Sequence, residues 1–370
     1  MECEESFPGR VIRIPFHMGP WPLWLDFKGI RRLWLLACRL LGRGNLLDDP
    51  ERVWPVRLRR WQKSLRQSCG RTPDLVWGVC TGYIDGLVAA RTLSDLFNCP
   101  FVAEFQDPPR SARCPGEERA LSACISSCAK VVTTTRALAE HLEEAFPVCR
   151  GKISTVYLSY EEVCPADTTD GRQDDALTIL HAGRLHGRDE RNARMLVQGL
   201  ASAAQARPES KGQIRLHLLG EGSGIDEACR LAKGLGIGEC VKGSPPVSRA
   251  EAYKAMRDAD VLAVIKCNSP SWNMQIPGKL FSYLPFCKPI LGIMGECEAA
   301  EILRRTGLGV IVPHGDADRM ARALLDLWCN RHSLGQHFKP VREYVSQFNR
   351  REMARMVNRM LRGILSGDSG

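Results

Sequence analysis

The sequence lacks the marks of several protein classes. It has 16 cysteines but no Cys-x-x-Cys pair, so the clustered ligands of zinc sites and small disulfide frameworks are absent. No secretory signal opens the chain, and the strongest apolar run, residues 33–41, is half the roughly 20 residues that a membrane span needs. No solenoid-length repeat or low-complexity tract appears. These absences predict free thiols and a cytoplasmic protein.

What is present is an ordinary globular composition. Hydrophobic residues make up 44% of the chain and charged residues 25%, which excludes a disordered chain, a collagen-like fibre and a coiled coil. At about 100–200 residues per domain, 370 residues predict two domains. The net charge of +9 is uneven, because eleven Lys/Arg lie in residues 28–66 and five of the eight tryptophans lie in the first 61 residues.

Short β-branched runs alternate with helical patterns along most of the chain, which indicates βαβ units and parallel sheets. In the first half, the patterns predict strands at 75–79, 100–105, 130–133 and 153–158, with helices at 83–97 and 136–146. In the second half they predict strands at 177–181, 214–219, 260–265, 288–293 and 308–312, and helices at 192–206, 224–235, 278–284, 298–305, 316–330 and 341–365.

A polar, acid-rich stretch at 161–175 interrupts the alternation and has the composition of a linker. It divides the chain into a first Rossmann-like domain at 1–165 and a second at 166–335. A C-terminal helix at 336–370 would cross back to the first domain. The economical architecture is α/β, with two doubly wound domains facing a cleft.

Several short segments follow one another in a specific order and spacing. The second half contains LHAGRL at 180–185, LLGEG at 218–222, IPGKLFSYL at 276–284 and KPIL at 288–291. The first half contains FVAEFQDP at 101–108 and VTTTRALA at 132–139, and FNRR at 348–351 precedes the last helix. In order and spacing these segments resemble the GT-B glycosyltransferases and in particular retaining family 4, the glycosyl transferases group 1. The resemblance covers roughly residues 72–365.

The resemblance implies an enzyme that moves a sugar from a UDP- or GDP-sugar, with retention, to a glycan or lipid-linked acceptor in cell-surface polysaccharide or glycolipid assembly. It implies no cofactor beyond this co-substrate and no bound metal. Two rivals stay open. One is a non-catalytic GT-B scaffold or partner subunit, and the other is a nucleotide-sugar epimerase or hydrolase.

The candidate donor-binding residues follow strand ends and one helix start. Arg184 would stabilise the leaving diphosphate as a catalytic residue, because a guanidinium fork is always charged and bidentate, although a solvated loop arginine is the alternative. The helix predicted to start at Pro277 and Gly278 would present backbone N–H groups to the phosphates. Lys279 has two interpretations of equal weight, a phosphate contact or a solvated surface charge. The full predicted set is Gly183, Arg184, Arg188, Arg191, Glu221, Gly243, Ser244, Pro277, Gly278, Lys279 and Ser282, with the Gly243–Ser244 turn near the base.

Departures from the family pattern lie in the same region. The family's lysine five or six residues after the Gly-Arg arginine is replaced by Asp189 or Glu190. Arg188 and Arg191 are the substitutes, or else ordinary surface charges. The family's two glutamates, eight positions apart, correspond to Met274 and Ser282, which are poorer acceptors for sugar and ribose hydroxyls.

The acceptor side is predicted in the first domain. Asp107 would orient an acceptor hydroxyl or act as a weak base, and an Asp-Pro turn is the alternative. Thr81 and Gly82 end another strand where a helix starts, and they would contact the acceptor or a phosphate. The family's opening strand, Gly-rich loop and helix are missing. The first strand-like run, at 11–15, resembles a later strand, so the first domain is expected to be shortened at its N-terminus.

The basic, Trp-rich residues 28–66 form two amphipathic helical patterns. Such helices lie on anionic membrane surfaces, so a peripheral contact with the inner membrane is one interpretation. The other is a helix pair that covers the first domain's sheet. No nucleic-acid-binding motif accompanies the arginines, so nucleic acid is not expected as a partner.

Overall fold

A computed structural model describes residues 54–56, 58–59, 72–110, 115–161, 175–186 and 193–367. The chain divides into two units. The first unit contains the residues up to Thr134, Leu138–Thr155 and the segment from Arg359, and the second contains Thr135–Ala137 and Val156–Asn358. The run at 11–15 and nearly all of residues 28–66 lie outside the described residues. Since most of 161–175 does too, the predicted domain boundaries stay a prediction.

The first unit contains a four-stranded parallel sheet in the order β1-β2-β3-β4. Its strands are β1 (Val76–Thr81), β2 (Phe101–Asp107), β3 (Lys130–Thr133) and β4 (Ile153–Thr155), joined by helices α1 (Asp85–Phe97), α2 (Pro115–Ser127) and α3 (Arg136–Ala145). Short apolar strands that alternate with helices of ten or more residues produce this parallel arrangement. The strands and helices predicted in this half are present, with ends that differ by a few residues, and α2 was not predicted.

The core of the first unit is built from the apolar faces of these elements. β2 buries Phe101 and Phe105 completely, and α1 buries Leu87 and Val88 against the sheet. Helix α1 ends at Asn98, which adopts the left-handed conformation (φ 52°) that commonly terminates helices.

The second unit contains six parallel strands in the order β10-β9-β8-β5-β6-β7. The strands are β5 (Leu177–Ala182), β6 (Ile214–Leu219), β7 (Val241–Ser244), β8 (Val261–Ile265), β9 (Ile290–Ile293) and β10 (Gly309–Val312). From β5 the chain adds β6 and β7 on one side of the sheet. It then returns to the other side of β5 and adds β8, β9 and β10 outward. This is the doubly wound pattern, and its strand order reverses between β5 and β8. All five residues of β8 are buried, as in a central strand covered on both faces.

The helices of this unit are α4 (Arg194–Ala206), α5 (Ser223–Gly234), α6 (Arg249–Asp258), α7 (Pro270–Asn273), α8 (Gly278–Tyr283), α9 (Glu298–Arg305), α10 (Ala317–Cys329), α11 (Leu334–His337) and α12 (Arg342–Ser346). A further helix, α13 (Arg350–Ser366), runs from this unit into the last segment of the first. Most of the predicted helices are present with small shifts at their ends.

Two sequence-based predictions require correction, and two elements were not predicted. Gly243 and Ser244 end strand β7 rather than form a turn, and neither β7 nor the capped helix α6 was predicted. The predicted single helix at 341–365 is two helices, α12 and α13. Between them Asn349 bridges to Tyr160, and Phe348 is buried, which explains the interruption.

Three properties of the described residues bear on function. None of their helices is both long enough and apolar enough to cross a bilayer. No group of three or more His, Cys, Asp or Glu side chains among them is arranged to hold a metal ion. Their eleven cysteines are all free thiols.

Candidate functional site

A cavity lies in the second unit where the strand order reverses, at the carboxyl ends of β5 and β8. Its volume is about 330 Å³, and its lining comes from three parts of the chain: residues 181 and 184–186 at the end of β5 and just after it, residues 265–267 at the end of β8, and residues 272 and 275–279 in and between α7 and α8. Ligands of doubly wound sheets bind at such a point, because two neighbouring loops diverge there and leave a crevice. This is the position that the sheet topology assigns to a ligand.

The cavity is lined by cations and histidines. The described residues that line it include no Asp or Glu, whereas Arg184, Lys266 and Lys279 all contribute to it, together with His181 and His186. Such a lining favours a ligand of negative charge, since ammonium and guanidinium groups offer only hydrogen-bond donors. The arrangement suits phosphate or carboxylate groups.

His181 holds Lys279 in place. The His181 ring is buried and its Nδ1 lies 3.0 Å from the carbonyl oxygen of Ala263, which can only accept, so Nδ1 carries the proton. Its Nε2 therefore accepts a hydrogen bond from Lys279 Nζ at 3.0 Å. Burial, together with the charge of Lys279, lowers the pKa of His181 to about 3, so the ring is neutral at ordinary pH.

Glycine at position 183 makes room for this lysine. Gly183 has φ +122°, and a Cβ placed there would lie 2.9 Å from Lys279 Nζ. Its N–H donates to the carbonyl of Leu219 at 2.7 Å, which ties the turn after β5 to the end of β6. Tyr283 in α8 also holds this region, because its buried hydroxyl oxygen accepts a hydrogen bond from the N–H of Ala182 at 3.0 Å.

Arg184 lines the cavity from the loop after β5, and its guanidinium pairs with Glu221 in the turn after β6. Arg184 Nε donates to Glu221 Oε1 at 2.9 Å. Both side chains are more than half exposed, so the pair contributes little to stability. An anionic ligand would compete with Glu221 for the guanidinium. The predicted donor residues Arg184 and Glu221 therefore lie together, although Glu221 is not part of the cavity lining.

Lys266 was not predicted as a site residue, and it directly follows β8. Only 2% of its surface is exposed, although it lines the cavity. Its Nζ donates to Asn273 Oδ1 at 3.0 Å and to the carbonyl of Cys267 at 3.3 Å. The signal available in the sequence was a lysine immediately after a strand whose five residues are all apolar, VLAVI.

Pro277, Gly278 and Lys279 line the same cavity. They lie at the start of helix α8, where the sequence predicted a helix to begin. Helix α8 has only six residues, so its dipole is small and the lysine carries most of the positive charge. Ser282 is outside the lining, and its hydroxyl donates to the carbonyl of Gly278 at 3.3 Å, one turn earlier. The backbone carbonyl of Met274 accepts from the Thr135 hydroxyl at 2.7 Å.

Gly243 and Ser244 also lie outside the cavity lining. The Ser244 carbonyl accepts from the N–H of Gly220 at 3.0 Å, and its hydroxyl lies 2.8 Å from His217 Nε2. These contacts join the ends of β6 and β7. Arg188 and Arg191, the proposed substitutes for the family lysine, lie outside the described residues.

The predicted acceptor-side residues lie at neighbouring strand ends of the first unit. Thr81 pairs in register with Asp107, and the carbonyl of Gly82 accepts from the N–H of Arg110 at 2.9 Å. Arg110 also donates to the Tyr83 hydroxyl at 2.5 Å. Partial burial raises the pKa of Asp107, and the charge of Arg110 opposes that shift. Asp107 is therefore a weaker acid than an exposed aspartate.

Comparison with known proteins agrees with this geometry. Residues 176–330, which include the whole cavity lining, match the family model described as glycosyl transferases group 1. A D-inositol 3-phosphate glycosyltransferase of Streptomyces avermitilis is 27% identical over 198 residues, or 50% of this chain. The aligned region spans only 40% of that curated relative.

Solved structures are similar over most of the chain. Anabaena HepE in complex with UDP and glucose has a TM-score of 0.63 at 15% identity, covering 83% of this chain and 81% of that one. Sucrose-phosphate synthase from Thermosynechococcus elongatus has a TM-score of 0.60 at 17% identity, covering 86% and 79%. At these identities the likeness shows the fold alone. Residues 176–330 therefore match the glycosyl transferases group 1 family, within a chain that has the two-sheet α/β fold of GT-B glycosyltransferases.

Proposed function

We propose that the protein is a glycosyltransferase that takes a sugar from a nucleotide-diphosphate sugar, with UDP or GDP as the leaving group. The observation that carries the proposal is the cavity at the β5–β8 switch point, which Arg184, Lys266 and Lys279 line, with no carboxylate among the lining residues that the structure describes. The family match over the same residues, and a solved neighbour in complex with UDP and glucose, support it.

In the proposed reaction the bond between the sugar's anomeric carbon and the diphosphate oxygen breaks. The acceptor's hydroxyl oxygen forms the new bond to that carbon, and its proton passes to the leaving diphosphate. The leaving diphosphate gains negative charge as that bond breaks. Cations already fixed by protein contacts stabilise this charge without reorganising. Lys279 is fixed in this way by His181, whereas Arg184 exchanges Glu221 for the phosphate.

The proposal also covers the identity of the acceptor, the stereochemistry of the transfer and the place of the protein in the cell. Retention of configuration and a glycan or lipid-linked acceptor rest on the family resemblance, with Asp107 proposed to orient the acceptor hydroxyl. A peripheral contact with the inner membrane rests on the basic, Trp-rich composition of residues 28–66 alone. Sedimentation with anionic vesicles but not with neutral ones tests that contact, and equal sedimentation with both would refute it.

The test of the donor assignment is the variant Arg184→Ala. We expect UDP or GDP to bind the wild type, measured by isothermal titration, and the variant to bind roughly three- to tenfold more weakly. The expected loss is modest because the guanidinium is exposed and already paired. Arg304→Ala is the matched control, because Arg304 is an exposed arginine paired with Glu296 outside the cavity.

Two results would refute parts of the proposal. If the wild type binds neither UDP nor GDP, and hydrolyses none of their sugar derivatives slowly, the donor assignment is wrong. If Arg184→Ala binds nucleotide as tightly as the wild type, Arg184 has no role at the diphosphate.

A non-catalytic scaffold or partner subunit is the second candidate, and the surroundings of Ser282 favour it. The Ser282 hydroxyl already bonds within α8, at the position where the family's ribose-binding glutamate is expected. This candidate predicts a folded protein that shows no sugar transfer or donor hydrolysis. The epimerase or hydrolase alternative receives less support, because such enzymes use carboxylates and the described cavity lining has none.

A further inference from the structure

We propose that helix α13 is a docking surface for an anionic membrane. It adds a surface of described residues to the membrane contact proposed for residues 28–66, and it does not depend on the donor assignment. The starting observation is the charge of the helix, because residues 350–366 contain five arginines and a single acid, Glu352. Such an excess of positive charge is complementary to a surface that carries negative lipid headgroups.

Four of these arginines form a stripe along one side of the helix. They are separated by four, four and three residues, so at about 3.6 residues per turn they fall within an arc of roughly 80°. All four are exposed. At about 1.5 Å per residue the stripe is about 16 Å long. The members of this arginine stripe are Arg351, Arg355, Arg359 and Arg362.

The opposite side of α13 is apolar and half-buried. Its packed residues recur at intervals of three and four positions, which keeps them together and leaves the arginine stripe on the exposed side. The helix is therefore oriented, with one side against the protein and one side outward. The half-buried apolar residues are Met353, Val357, Met360, Leu361 and Ile364.

The C-terminal half of the arginine stripe is available to a partner. Arg355 is paired with Glu352, one turn earlier on the same helix. Arg359 and Arg362, by contrast, make no ion pair with any residue that the structure describes. An anionic surface would therefore meet these two guanidinium groups without displacing a carboxylate from them.

Two exposed apolar side chains favour a membrane over a soluble polyanion. Met356 precedes Arg359 by three residues and Leu365 follows Arg362 by three, so each lies beside the arginine stripe. Met356 is 48% exposed and Leu365 is 53% exposed. A lipid surface takes up such side chains at the boundary of headgroups and acyl chains, while arginines reach the phosphates. A nucleic acid or an acidic polysaccharide would satisfy the charges alone.

The experiment measures sedimentation of the protein with two kinds of vesicle at low salt, phosphatidylcholine alone and phosphatidylcholine mixed with phosphatidylglycerol. The test variant carries Arg359→Gln and Arg362→Gln. Each basic residue near an anionic membrane strengthens binding roughly fivefold, so the test variant should bind the mixed vesicles roughly ten- to thirtyfold more weakly than the wild type. Arg230→Gln with Lys254→Gln is the matched control, because it removes two charges from exposed residues of α5 and α6 and should bind as the wild type does.

A second variant, Met356→Ser with Leu365→Ser, tests the lipid assignment and should also bind the mixed vesicles more weakly. Unchanged binding in this variant would mean attraction by charge alone, and would overturn the membrane in favour of a soluble polyanion.

Three other results would overturn the proposal. They are a wild type that sediments with neither vesicle, a wild type that sediments equally with both, and equal binding by the arginine variant and its control, which would place the contact elsewhere. Titration of the arginine variant with UDP and GDP separates this proposal from the donor assignment, because its nucleotide affinity should equal that of the wild type.

Discussion

Replacing His181 with glutamine tests whether a buried, neutral histidine positions the cavity's lysine. In the folded protein Nδ1 donates to Ala263 and Nε2 accepts from Lys279. Protonating Nε2 would remove the acceptor and place two positive charges 3.0 Å apart inside the protein. Glutamine offers a donor and an acceptor of similar reach but does not titrate over the working pH range.

The magnitude follows from the pKa. Burial, with the charge of Lys279, lowers the pKa of His181 from 6.5 to about 3 in the folded state. Below pH 6.5 the unfolded chain takes up a proton on this histidine but the folded protein does not. The stability contributed by the neutral ring is therefore complete above pH 6.5, and the free energy of unfolding falls by about 1.4 kcal/mol for each pH unit below it. Between pH 7 and pH 5 the expected loss is about 2 kcal/mol. Any folded-state pKa well below 5 predicts the same loss.

Guanidinium unfolding at pH 7 and pH 5 measures this difference. The wild type should lose about 2 kcal/mol more free energy of unfolding between the two pH values than His181→Gln does. His141→Gln is the control, because His141 is an exposed histidine of the first unit and its variant should keep the wild-type loss. If the wild type and His181→Gln lose the same free energy, the ring is not held neutral and the assigned hydrogen bond to Lys279 is wrong.

Two further predictions concern individual positions. Gly183→Ala should cost about 1–3 kcal/mol of stability and weaken UDP binding, because φ is +122° and the methyl group would lie 2.9 Å from Lys279 Nζ; titration calorimetry and thermal melting measure both effects. Gly236→Ala, at φ +71° with open space around it, should show strain but normal UDP affinity, and an equal binding loss in both variants would contradict the steric argument. Asp107→Asn should be at least as stable as the wild type at pH 8, since burial raises this pKa and ionisation therefore costs stability as the pH rises. Melting from pH 3 to 8 should show the difference shrinking below pH 4, and a variant less stable than the wild type at pH 8 would refute it.

The strand pattern of the second unit was predictable because its signal is strong. Strands such as β8 are continuous apolar runs that only a sheet covered on both faces can bury. Strand β7 was missed for the opposite reason: of its four residues, Lys242 and Gly243 are exposed, and it lies at an edge of the sheet. Its short sequence, VKGS, carries no hydrophobic pattern. Helix α6 was missed because its amphipathic signal is weak, although its Ser248–Glu251 capping box was visible in the sequence.

The candidate site was predictable only where local sequence determines the geometry. A glycine directly after a strand predicts the turn at Gly183 and Arg184, and a proline before a helical pattern predicts the helix start at Pro277. The contact between His181 and Lys279 joins residues 98 positions apart, so no local pattern could reveal it. Lys266 was visible as a charged residue beside an apolar strand, but its burial depends on how α7 folds over it.

These long-range contacts follow from the topology. In a doubly wound sheet the strands on either side of the switch point come from distant parts of the sequence, here β5 and β8. The residues after each strand face one crevice, so Arg184 and Lys266 line the same cavity although 82 positions separate them. A fold of this kind assembles an anion site from single cations on separate loops, each held by its own neighbours. Glu221 and Asn273 accordingly hold their partner cations from outside the cavity lining, and changes at those two positions should alter ligand affinity without touching the ligand.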